Sequence, residues 1–247
     1  MNKKFLVASF CCVLWSGAAL AAEDLHLLGV GVLTSTSPYH GVGTRVMTLP
    51  LVVWDHKGFY IKGEEFGYRL YKEKPLKVSV MVSPRLMGYH SSDSDALQGM
   101  EDREMSLDAG VRAEWAGPWP GGVLSAKVVS DVLSRSRGQE AELRLAEELK
   151  GEIWHFTPAV GVRVQSSRLT DYYYGVRAEE VRADRPEYRP GAAVNYFAEA
   201  MLSCGVARNW IMVIKGGAMS PDSCIRRSPI VERDVFLTGL AAVVRRF

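Results

Sequence analysis

The sequence predicts an all-β fold, an antiparallel transmembrane β-barrel of twelve strands with ten as the fallback, and three observations carry that expectation. The first is period-two alternation. From Met105, the apolar Met105, Leu107, Ala109, Val111, Ala113 and Trp115 interleave with Glu104, Ser106, Asp108, Gly110, Arg112 and Glu114. After a turn built from Gly117, Pro118, Pro120, Gly121 and Gly122, the residues Leu124, Ala126, Val128 and Val132 alternate with Ser125, Lys127 and Asp131. Successive side chains of a strand point to opposite faces, so each run has one oily and one wet face. Runs of about ten residues suit a bilayer-spanning strand, whereas strands of soluble sandwiches average about five or six.

The second observation is the N-terminus. Lys3 and Lys4 precede an apolar stretch from Phe5 to Leu20, and Ala19-Leu20-Ala21 offers small residues for cleavage. This pattern predicts a secretory signal peptide over 1–21 and one barrel domain over 22–247. Cys11 and Cys12 would leave with the leader. The chain has 247 residues, 47% hydrophobic and 23% charged, with a formal net charge of +2. Such a composition excludes disorder, collagen and a nucleic-acid binder. After the leader no apolar run approaches the ~20 residues of a membrane-spanning helix.

The third observation is the rhythm of connections, which emerges along the chain. Leu25 to Thr34 and Arg45 to Trp54 read as strands joined by a polar stretch over 35–44. Pro50 lies inside the second and predicts a bulge or irregular pairing there. Asp55 to Gly58 is a compact turn. Phe59 to Lys62 and Phe66 to Tyr71 are short strands separated by Gly63, Glu64 and Glu65. Lys77 to Tyr89 follows, with Val78, Val80, Val82 and Leu86 against Ser79, Ser83 and Arg85. A polar loop over 90–103 leads into the hairpin already described. Ala141, Leu143 and Leu145 against Glu142 and Arg144 mark the next strand, and Trp154 to Gln165 another. The longest loop, 166–190, carries Tyr172, Tyr173 and Tyr174 and an expected short helix around Val176 to Ala183. Ala192 to Cys204, Asn209 to Gly217 and Val235 to Phe247 are the last strands. With twelve strands and both termini periplasmic, the loops at 35–44, 90–103, 166–190 and 218–233 all fall outside and the short turns inside, as bacterial barrels require.

By parity the lumen holds Arg85, Asp108, Arg112, Lys127, Asp131, Arg144 and Arg163. Opposite charges on neighbouring strands can pair, so a plug of side chains and a selective pore both fit. Cys204 at the periplasmic end and Cys224 in an external loop are expected to be free thiols. A disulfide needs Cα atoms within about 7 Å, and the hydrocarbon band is ~25 Å tall.

These residues and their spacing resemble the MipA/OmpV family of outer-membrane proteins. The carriers are Gly29 to Leu33 with Ser37-Pro38-Tyr39, Leu49-Pro50-Leu51, and Phe59-Tyr60-Ile61-Lys62-Gly63. Further along stand Asp171-Tyr172-Tyr173-Tyr174-Gly175-Val176, Ser228-Pro229-Ile230-Val231 and the terminal Arg246-Phe247. One departure is Arg245, two before the terminal phenylalanine, where an apolar or aromatic residue usually stands. The resemblance implies a non-enzymatic scaffold for peptidoglycan synthesis and remodelling. Its implied partners are outer-membrane lipid, a lytic murein transglycosylase and a penicillin-binding protein. A small-solute channel and an adhesin working through external loops are the alternatives.

No catalytic, cofactor-binding or metal-binding residue is assigned, and no partner-binding residue either. His155 is the mid-strand histidine and is expected inside the lumen, but no G-x-S-x-G or comparable serine context accompanies it. Asp93, Asp95, Glu101 and Asp102 lack the glycine and terminal glutamate of a calcium loop. Tyr172 to Tyr174 suit equally a receptor patch and an aromatic girdle.

Overall fold

The computed structural model describes residues 26–117 and 119–247, so the leader expected over 1–21 and Pro118 of the hairpin turn lie outside the described residues. Thirteen strand segments form one antiparallel sheet, and one of them, Leu149–Lys150, merely continues its predecessor, which leaves twelve strands. They are β1 (Leu27–Thr36), β2 (Thr44–His56), β3 (Phe59–Lys62), β4 (Glu65–Glu73), β5 (Leu76–Arg85) and β6 (Ser106–Ala116). Then come β7 (Gly122–Asp131), β8 (Gln139–Glu147, continued by Leu149–Lys150), β9 (Trp154–Gln165), β10 (Ala193–Ala207), β11 (Trp210–Ser220) and β12 (Phe236–Arg246). Each strand pairs with its neighbours in sequence, and β1 pairs with β12 from Leu27↔Arg246 to Ser35↔Thr238, closing the cylinder. Closure satisfies every sheet edge it joins, the condition for placing strands in lipid.

Parity follows the sequence closely. Val80, Val111, Val128, Leu143 and Val160 are exposed on the lipid face, whereas Arg85, Arg112, Lys127, Arg144 and Arg163 are buried in the lumen. Exposed aromatics (Phe59, Trp115, Trp119 and Trp154) stand beside the short turns. This is the girdle position at a membrane interface, and the short-turn end is the periplasmic one. Arg245 points outward at the same rim, with its guanidinium 5.2 Å from the centre of the Phe247 ring. Its stem covers apolar surface while the charge reaches water.

Three expectations are corrected. The first concerns Pro50, where of the two expected forms there is no bulge, since β1 and β2 stay in register from Leu27↔Val53 to Thr36↔Thr44, and the irregularity lies in the pairing with β3, which stops at Val53. The reason lies in the neighbouring hairpin. Strand β3 has only four residues and meets β2 only from Val53 to His56. Gly63 N–H donates to the Val52 carbonyl at 2.9 Å, and Pro50, two residues earlier, turns its imide nitrogen to the same side. Above Val52 no β3 residue pairs with β2, so the missing donor costs no ladder bond. There Arg45 ties β2 to the loop beyond β5, donating to the Gly88 carbonyl at 3.3 Å and to Asp93 at 3.1 Å. Leu49 and Leu86 pack behind it against one apolar cluster.

The second correction concerns the helix of the longest loop. It spans Ser167–Tyr174 (α1), and only a single 3-10 turn, Ala178–Glu180, lies in the stretch expected to be helical. Val176 pairs with Tyr188 and Arg182 with Arg185 in antiparallel bridges, and these extended pairings replace a helix there.

The third concerns the lumen, which is not charged all round. Leu27, Leu33, Leu51, Val53, Val213, Leu240 and Val244 form a buried apolar cluster on the inner face of β1, β2, β11 and β12. In these strands both faces are apolar, so the barrel has one ionic and one oily inner wall.

Candidate functional site

The interior is organised in three layers. The outermost is a cap made by all four long loops. Tyr39, Tyr89, Leu97, Leu169, Tyr173, Tyr174, Ile225 and Ile230 form its buried centre. The Tyr39 and Tyr89 rings meet edge to face at 4.6 Å. Tyr39 Oη donates to the Tyr173 carbonyl at 3.2 Å, and Ser228 Oγ to the Tyr174 carbonyl at 2.6 Å. Tyr173 and Tyr174 are therefore neither a receptor patch nor a girdle: they are buried at the centre of the cap over the outer mouth.

A polar frame locks this centre. Arg103, 1% exposed, donates both hydrogens of Nη2 to Glu180, Nε to the Tyr172 carbonyl and Nη1 to the Glu101 carbonyl. Burial pushes the Glu180 carboxyl up, but the backbone N–H groups of Arg177 and Glu101 and the Arg103 charge outweigh it and hold the group below the usual carboxylate range. The four acids of loop 90–103 are fasteners of the same kind. Asp93 meets Arg45, Asp102 accepts from His90 Nδ1 at 2.8 Å and Ser91 N–H at 2.7 Å, Glu101 meets Arg177, and Asp95 accepts from Gln98. Among the described residues no three His, Cys, Asp or Glu side chains are grouped to hold a metal.

The middle layer is a belt of buried ion pairs. Arg85 reaches Asp108 at 2.5 Å and Glu140 at 2.9 Å, and Arg163 reaches Glu142 at 2.7 Å and Glu140 at 3.4 Å. Lys127 stands near both glutamates, at 3.9 and 3.6 Å. Arg144 and Lys215 share Glu199 at 2.8 and 3.1 Å, and Arg112 meets Glu65 at 2.6 Å. The expected inward positions are thus correct, and their charges pair with neighbouring strands. Glu140, Glu199 and Lys215 escape the sequence reading, although strand parity alone would have placed them inside. Asp131 has a different task. It accepts from the N–H groups of Leu133, Ser136 and Arg137 and so ties down the turn after β7.

The innermost layer is a chamber of about 550 Å³ at the periplasmic end. Leu27, Val53, Met201, Ile211 and Val213 supply its apolar lining; Lys62, Arg69 and Lys77 from β3, β4 and β5 supply cations, joined by Arg208 and Arg246. Arg69 is committed to Asp55 by two 2.5 Å bonds, and Lys150 to Glu148 at 3.0 Å. His155 is in this wall, as a lumen residue should be. Cys204 sits near the same end on β10 and Cys224 in the short helix α2 (Ser223–Arg226) of the cap; both are free.

Closed above, ion-paired at mid-height and open below, the chain is an outer-membrane β-barrel whose accessible interior faces the periplasm. The family model described as "MltA-interacting protein MipA" matches residues 28–247, and the chain belongs to that family. It is 26% identical over 243 residues to the MltA-interacting protein of Escherichia coli K12, covering 97% of this chain and 96% of that one. The outer membrane protein YiaT of the same organism is 25% identical over 233 residues, covering 93% and 94%. Among solved structures, an outer membrane channel from Pseudomonas putida F1 is similar with a TM-score of 0.46 at 11% identity, over 93% of this chain and 97% of that one.

Proposed function

We propose that this barrel is a non-enzymatic outer-membrane anchor and scaffold for enzymes of murein synthesis and remodelling, with a lytic murein transglycosylase as the first partner and a penicillin-binding protein as the second. The observation that carries this reading is the asymmetry of access. Four loops stop the outer mouth, whereas the periplasmic end offers a chamber and an apolar rim. A protein that works toward the murein layer needs its surface there. The name of the Escherichia coli relative, MltA-interacting protein, supports the same direction.

The docking surface lies beside the chamber. Ile153 is 65% exposed in the turn before β9, and Val206 is exposed at the end of β10; the Ile153 carbonyl accepts from Gly205 N–H at 2.8 Å, so the two side chains share one rim. Exposed aliphatic residues at an aqueous rim are what a protein partner covers. The test is co-purification of the folded barrel with a lytic murein transglycosylase. Wild type should retain the enzyme and the Ile153→Asp, Val206→Asp double variant should lose it while remaining folded. Equal retention by both would sink this surface, and no retention by wild type would sink the scaffold reading.

A further inference from the structure

The chamber has a chemistry that protein docking does not use. Six cationic side chains line it (Lys62, Arg69, Lys77, Lys150, Arg208 and Arg246), against the acids Asp55, Glu148 and Glu152. Arg69 and Lys150 are neutralised within the wall. Lys62, Lys77, Arg208 and Arg246 form no ion pair within 4 Å among the described residues. Glu114, beside Lys62 and Lys77, and Glu152 offset part of this charge; six cations against the four acids Asp55, Glu114, Glu148 and Glu152 leave an excess of positive charge, which low-dielectric walls focus into the chamber.

Register places this charge around an oily centre. Arg246 on β12, Leu27 on β1, Val53 on β2 and Lys62 on β3 are successive partners in one row across the sheet. Neighbouring strands lie about 4.8 Å apart, so the two cations bracket an apolar patch roughly 10 to 15 Å wide. Leu27, Val53 and Val213 belong at once to the chamber wall and to the buried apolar cluster above it. A strongly hydrated ion or sugar would leave that patch against polar groups; a neutral oil would leave the excess positive charge unanswered. The space itself is within the range of small-molecule sites, about 300 to 1,000 Å³.

We infer that the periplasmic chamber binds a small amphipathic anion, a molecule with one carboxylate or phosphate head among the cations that border the patch and an apolar tail against Leu27, Val53 and Val213. The inference does not rest on the scaffold reading, because the barrel alone supplies the whole site.

The test is calorimetric titration of the purified full-length barrel, held in amphipol, with decanoate, decyl phosphate, decanol and acetate. Decanoate or decyl phosphate should bind saturably, one per barrel. Tighter binding of one identifies the head group, and equal binding assigns the recognition to charge alone. Decanol and acetate should each bind at least about tenfold more weakly, since each lacks one half of the chemistry. The Lys62→Gln, Arg246→Gln double variant should weaken decanoate at least about tenfold, and Met201→Trp, which fills the space, should abolish binding. Each variant is first shown to be folded by its heat-sensitive migration in detergent gels. No saturable binding by wild type, decanol binding as well as decanoate, or folded variants binding like wild type would each overturn the inference.

Discussion

Arg103 and Glu180 stand 77 positions apart in the chain and meet, both buried, through Nη2 at 2.8 and 2.9 Å from the two carboxylate oxygens. This pair joins the loop after β5 to the loop after β9 across the outer mouth. Removing one partner of such a pair leaves the other charge buried and unanswered, which costs about 3 to 5 kcal/mol. Arg103→Ala should therefore open the cap without unfolding the barrel, whose strands are held by their own ladders. Limited proteolysis from outside should cleave variant loops 86–105 and 166–192 that resist in wild type. A variant as resistant as wild type would show that the apolar centre alone holds the cap.

The cap should also loosen in acid. The backbone N–H groups of Cys224 and Val194 donate to Asp222 and hold its carboxyl below the usual range, and the Glu180 carboxyl is held low as described. A carboxyl with a folded pKa below its unfolded value stabilises the fold above the unfolded value, about 4, and that contribution is lost as pH falls through the folded one. Amide exchange in α2 and in the Arg177 to Tyr188 segment should thus accelerate below about pH 4. Asp222→Asn should flatten the profile of α2 and leave that of the Glu180 segment intact.

How much of this was legible follows from the range of the forces involved. Alternation is a local property, so Leu107 and Val111 could be placed in lipid and Arg112 and Lys127 in the lumen from the sequence alone. Twelve strands followed from the split at Gly63 and from keeping long loops on one side. The oily inner wall was hidden because β1 and β12 are apolar on both faces, and Leu240-Ala241-Ala242-Val243-Val244 carries no alternation to read. The cap and chamber were invisible for another reason. Tyr39 touching Tyr173, or Arg246 sharing a row with Lys62, depends on ring closure and on loop packing between residues far apart in sequence. Tyr172 to Tyr174 show the difficulty: an aromatic triplet in a polar loop looks exposed until the other loops are laid over it.

Glu64 carries a different expectation. It sits in the β3–β4 turn with Oε2 buried and without a hydrogen-bond partner. A buried acceptor left unmatched costs roughly 1 to 3 kcal/mol, more when charged. Glu64→Gln should keep or raise stability, read as the temperature at which the folded form is lost in detergent gels. A clear drop would mean that its charge is needed by the lysines across the lumen.

The belt gives the last prediction, because plug and filter differ in what one substitution does. Glu199 on β10 is shared by Arg144 and Lys215. Glu199→Gln strands two buried cations, and the urea midpoint of the barrel in lipid vesicles should fall by an amount corresponding to about 3 to 5 kcal/mol. Replacing all three residues by methionine removes the charges together and should restore most of that loss, since an apolar trio of similar volume avoids the desolvation cost. A filter would behave otherwise: wild type would pass steady single-channel steps in planar bilayers, and Glu199→Gln would alter their ion selectivity. With Tyr173 and Tyr174 buried in the cap over the mouth and the belt paired throughout, wild type should be silent, and the methionine variant, whose lumen is filled by apolar side chains, should be silent too. Steady steps from wild type that change with Glu199→Gln would make the belt a conducting site and the barrel a channel.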